Sequence, residues 1–208
     1  MNEFANAAGY IGAALSVGMV VPQLIRTLRH PGLGGVSAIS WLFTAAGCFA
    51  WLLYGIKGQI WPQIPGNTLI IPGAAAIVLA APARLTVFRR ALLLAATAGA
   101  LVVTAVLARP DDLGYLAFGL SLVSALPQTI TSVSRRRDGR SAVSIPAWAM
   151  RGASSGCWLF YAVMMHDRPI VVSSLVTLAS VAVVITAECA ALIGARLGRR
   201  LEDPAPGG

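Results

Sequence analysis

A single arginine inside a long apolar run is the residue of this sequence with the clearest chemistry to explain. Arg151 lies nine positions into an apolar run that begins near residue 142, which is about 14 Å along a helix. If that run crosses a membrane, the charge costs at least ~2.5 kcal/mol and must face protein or water. Two interpretations stay open: an ion pair with Glu188, the one acidic residue inside an apolar run, or contact with an anionic or polyhydroxylated solute.

Aromatic and amide side chains of the kind that bind neutral, hydroxyl-rich ligands also occur inside apolar runs. The pattern Trp-x-x-Tyr is present twice, at Trp51 and Tyr54 and again at Trp158 and Tyr161. An indole can stack on the apolar face of a pyranose, although tryptophans also form belts at membrane interfaces. Asn67, 16 residues after Trp51, can donate and accept hydrogen bonds. A contact between two helices is the other interpretation of this amide.

Prolines near the ends of apolar runs are candidates for hinges. Pro22 and Pro127 each precede a glutamine, Gln23 and Gln128, and Pro146 lies at the start of a later run. A proline removes one backbone donor and allows a helix to bend, and a glutamine amide can bond the carbonyls that are freed. Prolines can also simply mark a helix end.

The composition that surrounds these residues is that of a membrane protein. Hydrophobic residues make up 57% of the chain and charged residues 12%, and the mean hydropathy is +0.74, values outside the usual range of soluble domains. The net charge of +8 comes from arginine clusters without interleaved aromatics, which disfavours nucleic acid as a partner. No nucleophile and base set, phosphate loop or metal-ligand spacing is present in the sequence, so we expect no enzyme, cofactor or metal.

Seven apolar runs have about the ~20 residues that span a bilayer. They cover residues 8–26, 37–56, 59–82, 91–108, 114–132, 142–164 and 169–194. Arginines follow the first, third, fifth and seventh runs, whereas the other connections carry few or locally neutralised charges. The positive-inside rule therefore predicts an outer N-terminus, an inner C-terminus and a cytoplasmic tail over residues 195–208 of a plasma-membrane protein.

The two halves of the sequence are related by an internal repeat. Trp51 matches Trp158 at an offset of 107 residues, as do the tyrosines three residues later, and the two Pro-Gln pairs match at an offset of 105. The pattern predicts two three-helix units, residues 8–82 and 114–194, with residues 91–108 as a linker helix. One extra crossing gives both units the same orientation, so the repeats are predicted to be parallel.

The paired Pro-Gln dipeptides and Trp-x-x-Tyr helix ends resemble those of the PQ-loop superfamily. The three-one-three layout and the spacing of Trp51, Tyr54 and Asn67 are similar to those of the SWEET and SemiSWEET sugar transporters. The resemblance covers about residues 8–194. It implies an all-α membrane transporter of seven helices, in which two three-helix bundles enclose a site near the membrane midplane.

The resemblance also implies roles for individual residues. Trp51 and Trp158 would flank the substrate, Asn67 would bond its hydroxyl groups, and Tyr54 and Tyr161 would form an outer gate with Asp167 as a partner. The chain departs from the family pattern where Ser174 stands in place of a second asparagine and where Ile39 matches Pro146. We therefore expect an asymmetric site lined by Trp51, Asn67, Trp158, Ser174 and Arg151.

These observations predict facilitated diffusion of a small sugar, a mono- or disaccharide, by alternating access. Glu188 is the one acidic residue and no histidine lies within the apolar runs, so a proton relay has few candidates. Two alternatives stay open: transport of another solute, such as an amino acid or an organic anion, and a membrane receptor or scaffold that does not transport. The lipid bilayer and a small solute are the expected partners, and a monomer or a homo-oligomer is compatible with the sequence.

Overall fold

The protein is all-helical in the computed structural model, which describes residues 2–29, 38–80, 85–134 and 145–202. For some helix residues, chiefly 22–24, 26–28, 125–134, 187–188 and 191–202, only the backbone is described. Each predicted apolar run corresponds to one helix: α1 (Asn2–Arg29), α2 (Ala38–Lys57), α3 (Gln63–Ala80), α4 (Val87–Leu107), α5 (Pro110–Ser134), α6 (Ile145–Met165) and α7 (Arg168–Glu202).

Several helix boundaries differ from the sequence prediction, and those of α4 and α3 have a local reason. Helix α4 starts four residues before residue 91, because the Thr86 side chain accepts a 3.3 Å hydrogen bond from the Arg89 N–H and caps the helix. Helix α3 starts at Gln63, since Gln59 has a φ of 55° and turns the chain. Helix α7 continues to Glu202, so residues 195–202 are helical, while residues 203–208 lie outside the described residues; that residues 195–208 form a cytoplasmic tail stays a prediction.

We call α1, α2 and α3 the first helix group and α5, α6 and α7 the second, after the two predicted repeats. Helix α3 packs against both α1 and α2, and α7 packs in the same way against both α5 and α6. The groups meet where α1 packs on α6 and where α2 packs on α5, while α4 lies against α2 and α3. The contacts thus leave a space between the two groups, bounded by α1, α2, α5 and α6 on its sides.

Matched glycines allow close packing at the end of the bundle where α2 and α6 end, which we call the Tyr54 end. A Cβ added at Gly9 would lie 2.8 Å from the Cβ of Pro62, and one at Gly114 would lie 2.6 Å from the Cβ of Pro169. Each glycine also faces a tyrosine of the other group, Tyr161 for Gly9 and Tyr54 for Gly114. Only glycine fits at these two positions, because neither proline ring can move aside.

The outer surface of the bundle is apolar, as a lipid environment requires. By length and composition, five helices of the described ranges could cross a membrane: α1, α2, α3, α4 and α7. Helix α4 is the most exposed of these, with Phe88 76%, Val106 73% and Leu107 80% accessible. In water such a face would favour aggregation, whereas in a bilayer it contacts acyl chains.

Candidate functional site

A cavity of about 310 Å³ lies between the two helix groups, at the lower end of the ~300–1,000 Å³ typical of small-molecule sites. It is lined by α1, α2, α3, α5, α6 and α7. All five residues predicted to contact a solute line it: Trp51, Asn67, Arg151, Trp158 and Ser174. The structure therefore brings these residues together, and their role in binding stays a prediction.

Matched positions of the two sequence halves line the cavity in pairs. Helix α3 contributes residues 63, 66, 67 and 70, and α7 contributes residues 170, 173, 174 and 177, each 107 residues later. This i, i+3, i+4, i+7 spacing places one stripe of each helix on the cavity. Helices α2 and α6 give a second matched set at residues 44, 48 and 51 and at 151, 155 and 158. The chemistry differs within pairs, since Thr44 matches Arg151 and Asn67 matches Ser174.

The two tryptophans form the floor of the cavity toward the Tyr54 end. Each makes an edge-on contact with the tyrosine one turn later, with ring centroids 5.6 Å apart for Trp51 and Tyr54 and 5.7 Å apart for Trp158 and Tyr161. The Trp51 indole N–H donates a 3.0 Å hydrogen bond to the Ser121 hydroxyl of α5. The Trp158 N–H has no such bond within the described ranges. The Trp51 indole therefore joins the two helix groups by a hydrogen bond, whereas the Nε1 edge of Trp158 packs against Gly12 of α1, where a Cβ would lie 3.0 Å from Nε1.

The Asn67 amide has already used its donors within its own helix. Its Nδ2 donates to the Gln63 backbone carbonyl at 2.7 Å and to the Gln63 side-chain oxygen at 3.0 Å. No bond to the Asn67 Oδ1 is found among the described residues. Asn67 can therefore accept a hydrogen bond from a hydroxyl group of a ligand, while Gln63 holds the amide in position.

Arg151 is the one charged residue among the described lining residues of the cavity. Its Cζ lies 5.6 Å from the ring centroid of Trp148, one turn earlier on α6, which is cation–π distance. The Glu188 side chain, the partner considered from the sequence, lies outside the described residues. The lining also contains eight serines and two threonines. It thus combines hydroxyl groups, two amides, three tryptophans and one cation.

A partly buried hydrogen bond between the two helix groups closes the Tyr54 end. The Tyr54 hydroxyl donates to Oδ2 of Asp167 at 2.7 Å, and the Ile170 N–H donates to Oδ1 at 3.0 Å. Tyr54 and Tyr161 are 3% and 2% exposed and lie in one apolar cluster with Leu113 and Ile170. This end of the bundle is therefore closely packed, whereas the lining continues toward the other end through Met19, Val20, Ser40 and Trp41.

Burial has a direct consequence for the Asp167 carboxyl, which lies in the turn between α6 and α7. Loss of hydration raises the pKa of this group above its usual value, and the nearby charge of Asp111 adds to the increase. The hydrogen bonds from the Ile170 N–H and the Tyr54 hydroxyl stabilise the carboxylate and lower the pKa, although not enough to reverse the effect of burial.

The predicted hinge residues lie on continuous helices. Pro22 and Gln23 belong to α1, and Pro127 and Gln128 belong to α5; the side chains of these four lie outside the described residues. Pro146 is the second residue of α6, where a missing backbone donor leaves no helical bond unmade. Its placement fits a helix start, and a hinge role for any of the three prolines stays a prediction.

Apart from Ser174, sequence reasoning did not single out the hydroxyl groups of the cavity. Ser16 of α1 and Ser154 of α6 share a 2.9 Å hydrogen bond across the two helix groups, and Ser154 also donates to the Gly12 carbonyl at 2.8 Å. Ser121, which accepts from Trp51, is the match of Ser16 at the 105-residue offset. The internal repeat could therefore have revealed these serines, because Ser16 and Ser121 occupy matched positions of α1 and α5.

Comparison with known proteins gives a structural match. No protein-family model matches the sequence, and no curated protein matches it significantly. The structure of a eukaryotic SWEET transporter, solved at 3.7 Å resolution, superposes with a TM-score of 0.76 at 14% sequence identity, covering 91% of this chain and 97% of that one. At that identity the match bears on the fold. The resemblance predicted from the paired motifs is thus confirmed at the level of architecture: the chain has the fold of a SWEET transporter.

Proposed function

We propose that this protein is a plasma-membrane transporter that carries a small sugar by alternating access. The observation that carries the proposal is the cavity between the two helix groups, which has a tryptophan floor, hydroxyl and amide walls, and a closely packed seal at one end. A solute site between two groups of helices, closed on one side, is what one orientation of an alternating-access carrier requires.

The architecture that we propose has seven spans in two parallel repeats, residues 8–82 and 114–194, with residues 91–108 as the linker. Support comes from the matched stripes on the cavity and from the matched turns at Gln59 and His166, which are 107 residues apart and have φ angles of 55° and 57°. The N-terminus is outside and the C-terminus inside, which makes the sealed Tyr54 end the outer one and the observed form inward-facing.

In this mechanism the two groups rock about the contacts of α1 with α6 and of α2 with α5. Polar groups on the two contact faces, Ser16 with Ser154 and Trp51 with Ser121, exchange partners as the outer end opens. Bends at Pro22 and Pro127 are the proposed hinges at the inner end. The solute needs only to bind both orientations and to ease their exchange, so net flux follows its gradient.

Ion coupling is not part of the proposal. A proton-coupled carrier needs a group in the cavity that gains and loses a proton between orientations. The lining residues within the described ranges include no Asp, Glu or His, which favours a uniporter. The cavity volume favours a monosaccharide over a disaccharide as the solute, because it is near the lower limit for small-molecule sites.

The test is uptake of labelled glucose and sucrose into proteoliposomes with and without an imposed pH gradient. We expect glucose flux that does not depend on the gradient and that falls at least ~10-fold in Asn67→Ala, because an acceptor for a ligand hydroxyl is lost. Thr68→Ala is the matched control, since Thr68 is exposed on the same helix and bonds only the Ile64 carbonyl. Absence of flux for both sugars in folded protein would refute the sugar-transport proposal.

A further inference from the structure

We propose that the cavity selects a polyhydroxylated solute that carries one carboxylate, a sugar acid, over its neutral counterpart. The inference rests on the proposed transport function and narrows its substrate class. Its basis is the positive charge of the cavity lining, to which a neutral sugar offers no counter-charge.

The lining has one fixed positive charge and no negative charge among the described residues. Arg151 is the cation, and an arginine guanidinium stays protonated at any physiological pH. Within the described part of the chain, no carboxylate lies within ion-pair distance of it. A guanidinium held between membrane-spanning helices without a counter-charge stabilises a bound anion and disfavours an empty, dry cavity.

Trp148 holds the guanidinium in a way that leaves its hydrogen-bond donors available. The Arg151 Cζ lies 5.6 Å from the Trp148 ring centroid, so the ring contributes a cation–π contact. An aromatic ring accepts no conventional hydrogen bond, and the five N–H donors of the fork remain for a partner. A carboxylate is the ligand that matches such a fork, with two parallel hydrogen bonds.

Glu188 is the residue of the chain that could compete for Arg151. Gly152, the neighbour of Arg151, faces Val181 on α7, because a Cβ on Gly152 would lie 3.2 Å from the Val181 Cγ1. Glu188 is seven residues further along α7, about 10 Å by the helical rise. Its backbone is therefore displaced from the Arg151 level toward the inner end, and its effect on Arg151 can be measured separately.

The remainder of the lining suits the hydroxyl groups of the same solute. Trp158 lies seven residues after Arg151 on α6, again about 10 Å along the helix. Trp51, Trp158 and the Asn67 oxygen offer stacking faces and an acceptor at that level, and serines lie between the two levels. A solute with hydroxyl groups at one end and a carboxylate at the other uses both parts of the cavity.

The test compares gluconate with sorbitol, which share a six-carbon polyol chain and differ in the terminal carboxylate. Binding to the full-length protein in detergent is followed by tryptophan fluorescence, because Trp41, Trp51 and Trp158 line the cavity. We expect gluconate to bind about 10- to 100-fold more tightly than sorbitol, the range for a charge-assisted bond. In Arg151→Gln the ratio should fall to about 1, whereas Arg89→Gln, which removes an exposed charge on α4, should retain it.

Equal or weaker binding of gluconate by the wild type would overturn the inference, as would a preference that persists in Arg151→Gln. A preference that appears only in Glu188→Gln would overturn it too, because Arg151 would then serve Glu188. If Arg151→Gln does not fold, Arg151→Lys is used instead. Lysine lacks the planar guanidinium fork, so we expect this variant to lose part of the preference for gluconate. Transport is tested separately: gluconate binding together with absence of flux for gluconate, glucose and sucrose in proteoliposomes would refute the transport proposal and leave the charge selection intact.

Discussion

Tyr54 and Asp167 are joined by a 2.7 Å hydrogen bond although they are 113 residues apart in the chain and belong to different helix groups. The matched tyrosine of the other half, Tyr161, has no equivalent bond within the described ranges, because the residue that matches Asp167 at the 107-residue offset is Ile60. The seal at the Tyr54 end is therefore symmetric in its apolar packing and asymmetric in its polar contact. That asymmetry makes the two tyrosines a natural pair for comparison.

Tyr54→Phe should loosen the seal, while Tyr161→Phe should leave it nearly unchanged. Removal of the Tyr54 hydroxyl takes one donor from a partly buried carboxylate, a loss of ~1.5–3 kcal/mol from the closed form. The readout is labelling of Cys48, which lines the cavity, by a membrane-impermeant maleimide added to intact cells, with Cys157 and Cys189 replaced by alanine. We expect at least ~10-fold faster labelling in Tyr54→Phe, and equal rates for both variants would contradict this account of the seal.

Acid should stabilise the wild type relative to Asp167→Asn. Burial raises the pKa of Asp167 in the folded protein, so the folded state holds the proton more tightly than the unfolded state does. The contribution of this group to stability is then complete below its ordinary pKa and is lost as the pH rises through the raised folded value.

The measurement is the unfolding temperature in detergent from pH 7 down to pH 4, taken as the difference between wild type and Asp167→Asn. The subtraction isolates Asp167, because every other ionisable group is present in both proteins. We expect the difference to move in favour of the wild type as the pH falls. A shift in the opposite direction would mean that hydrogen bonding, and not burial, dominates at this carboxyl.

Gly114→Ala should destabilise the protein, whereas Gly119→Ala on the same helix should not. A Cβ at Gly114 would lie 2.6 Å from the Pro169 Cβ and 3.0 Å from the Tyr54 Cε2, and overpacking of this kind costs ~1–3 kcal/mol. A Cβ at Gly119 meets nothing within 4 Å, so alanine there should gain up to ~1 kcal/mol from its helix propensity. Thermal unfolding of the two variants in one detergent checks the sign of each effect.

Double-mutant cycles should distinguish the two cavity tryptophans by their coupling energies. Trp51→Phe combined with Ser121→Ala should show a coupling of ~0.5–1.5 kcal/mol, because one hydrogen bond joins that pair. Trp158→Phe with Ser16→Ala is the matched control, since Ser16 bonds Ser154 and the coupling should stay within ~0.5 kcal/mol. Similar couplings in both cycles would show that the Trp51 bond contributes nothing specific to stability.

Much of the architecture can be predicted from the sequence, because its determinants are local. Seven apolar runs become seven helices, since a chain in lipid must satisfy its backbone hydrogen bonds within each segment. The paired Pro-Gln and Trp-x-x-Tyr motifs indicate a SWEET-like fold, and the superposition confirms it. Helix boundaries depend on single local features, such as the cap at Thr86 and the turn at Gln59. The periodicity of hydrophobic residues does not reveal such features.

The sequence by itself determined which side chains are available to line a cavity. The tertiary structure decided which partner each of these side chains contacts. Trp51 and Trp158 are equivalent in the sequence, but among the described residues only Trp51 donates a hydrogen bond to a serine of the other group. Serines on a single apolar helix carry no signal, and the cavity wall exists because six helices turn small residues toward one space. Which end is sealed is a property of one packed state, since both orientations of an alternating-access carrier share one sequence and differ only in which contacts between the two groups are made.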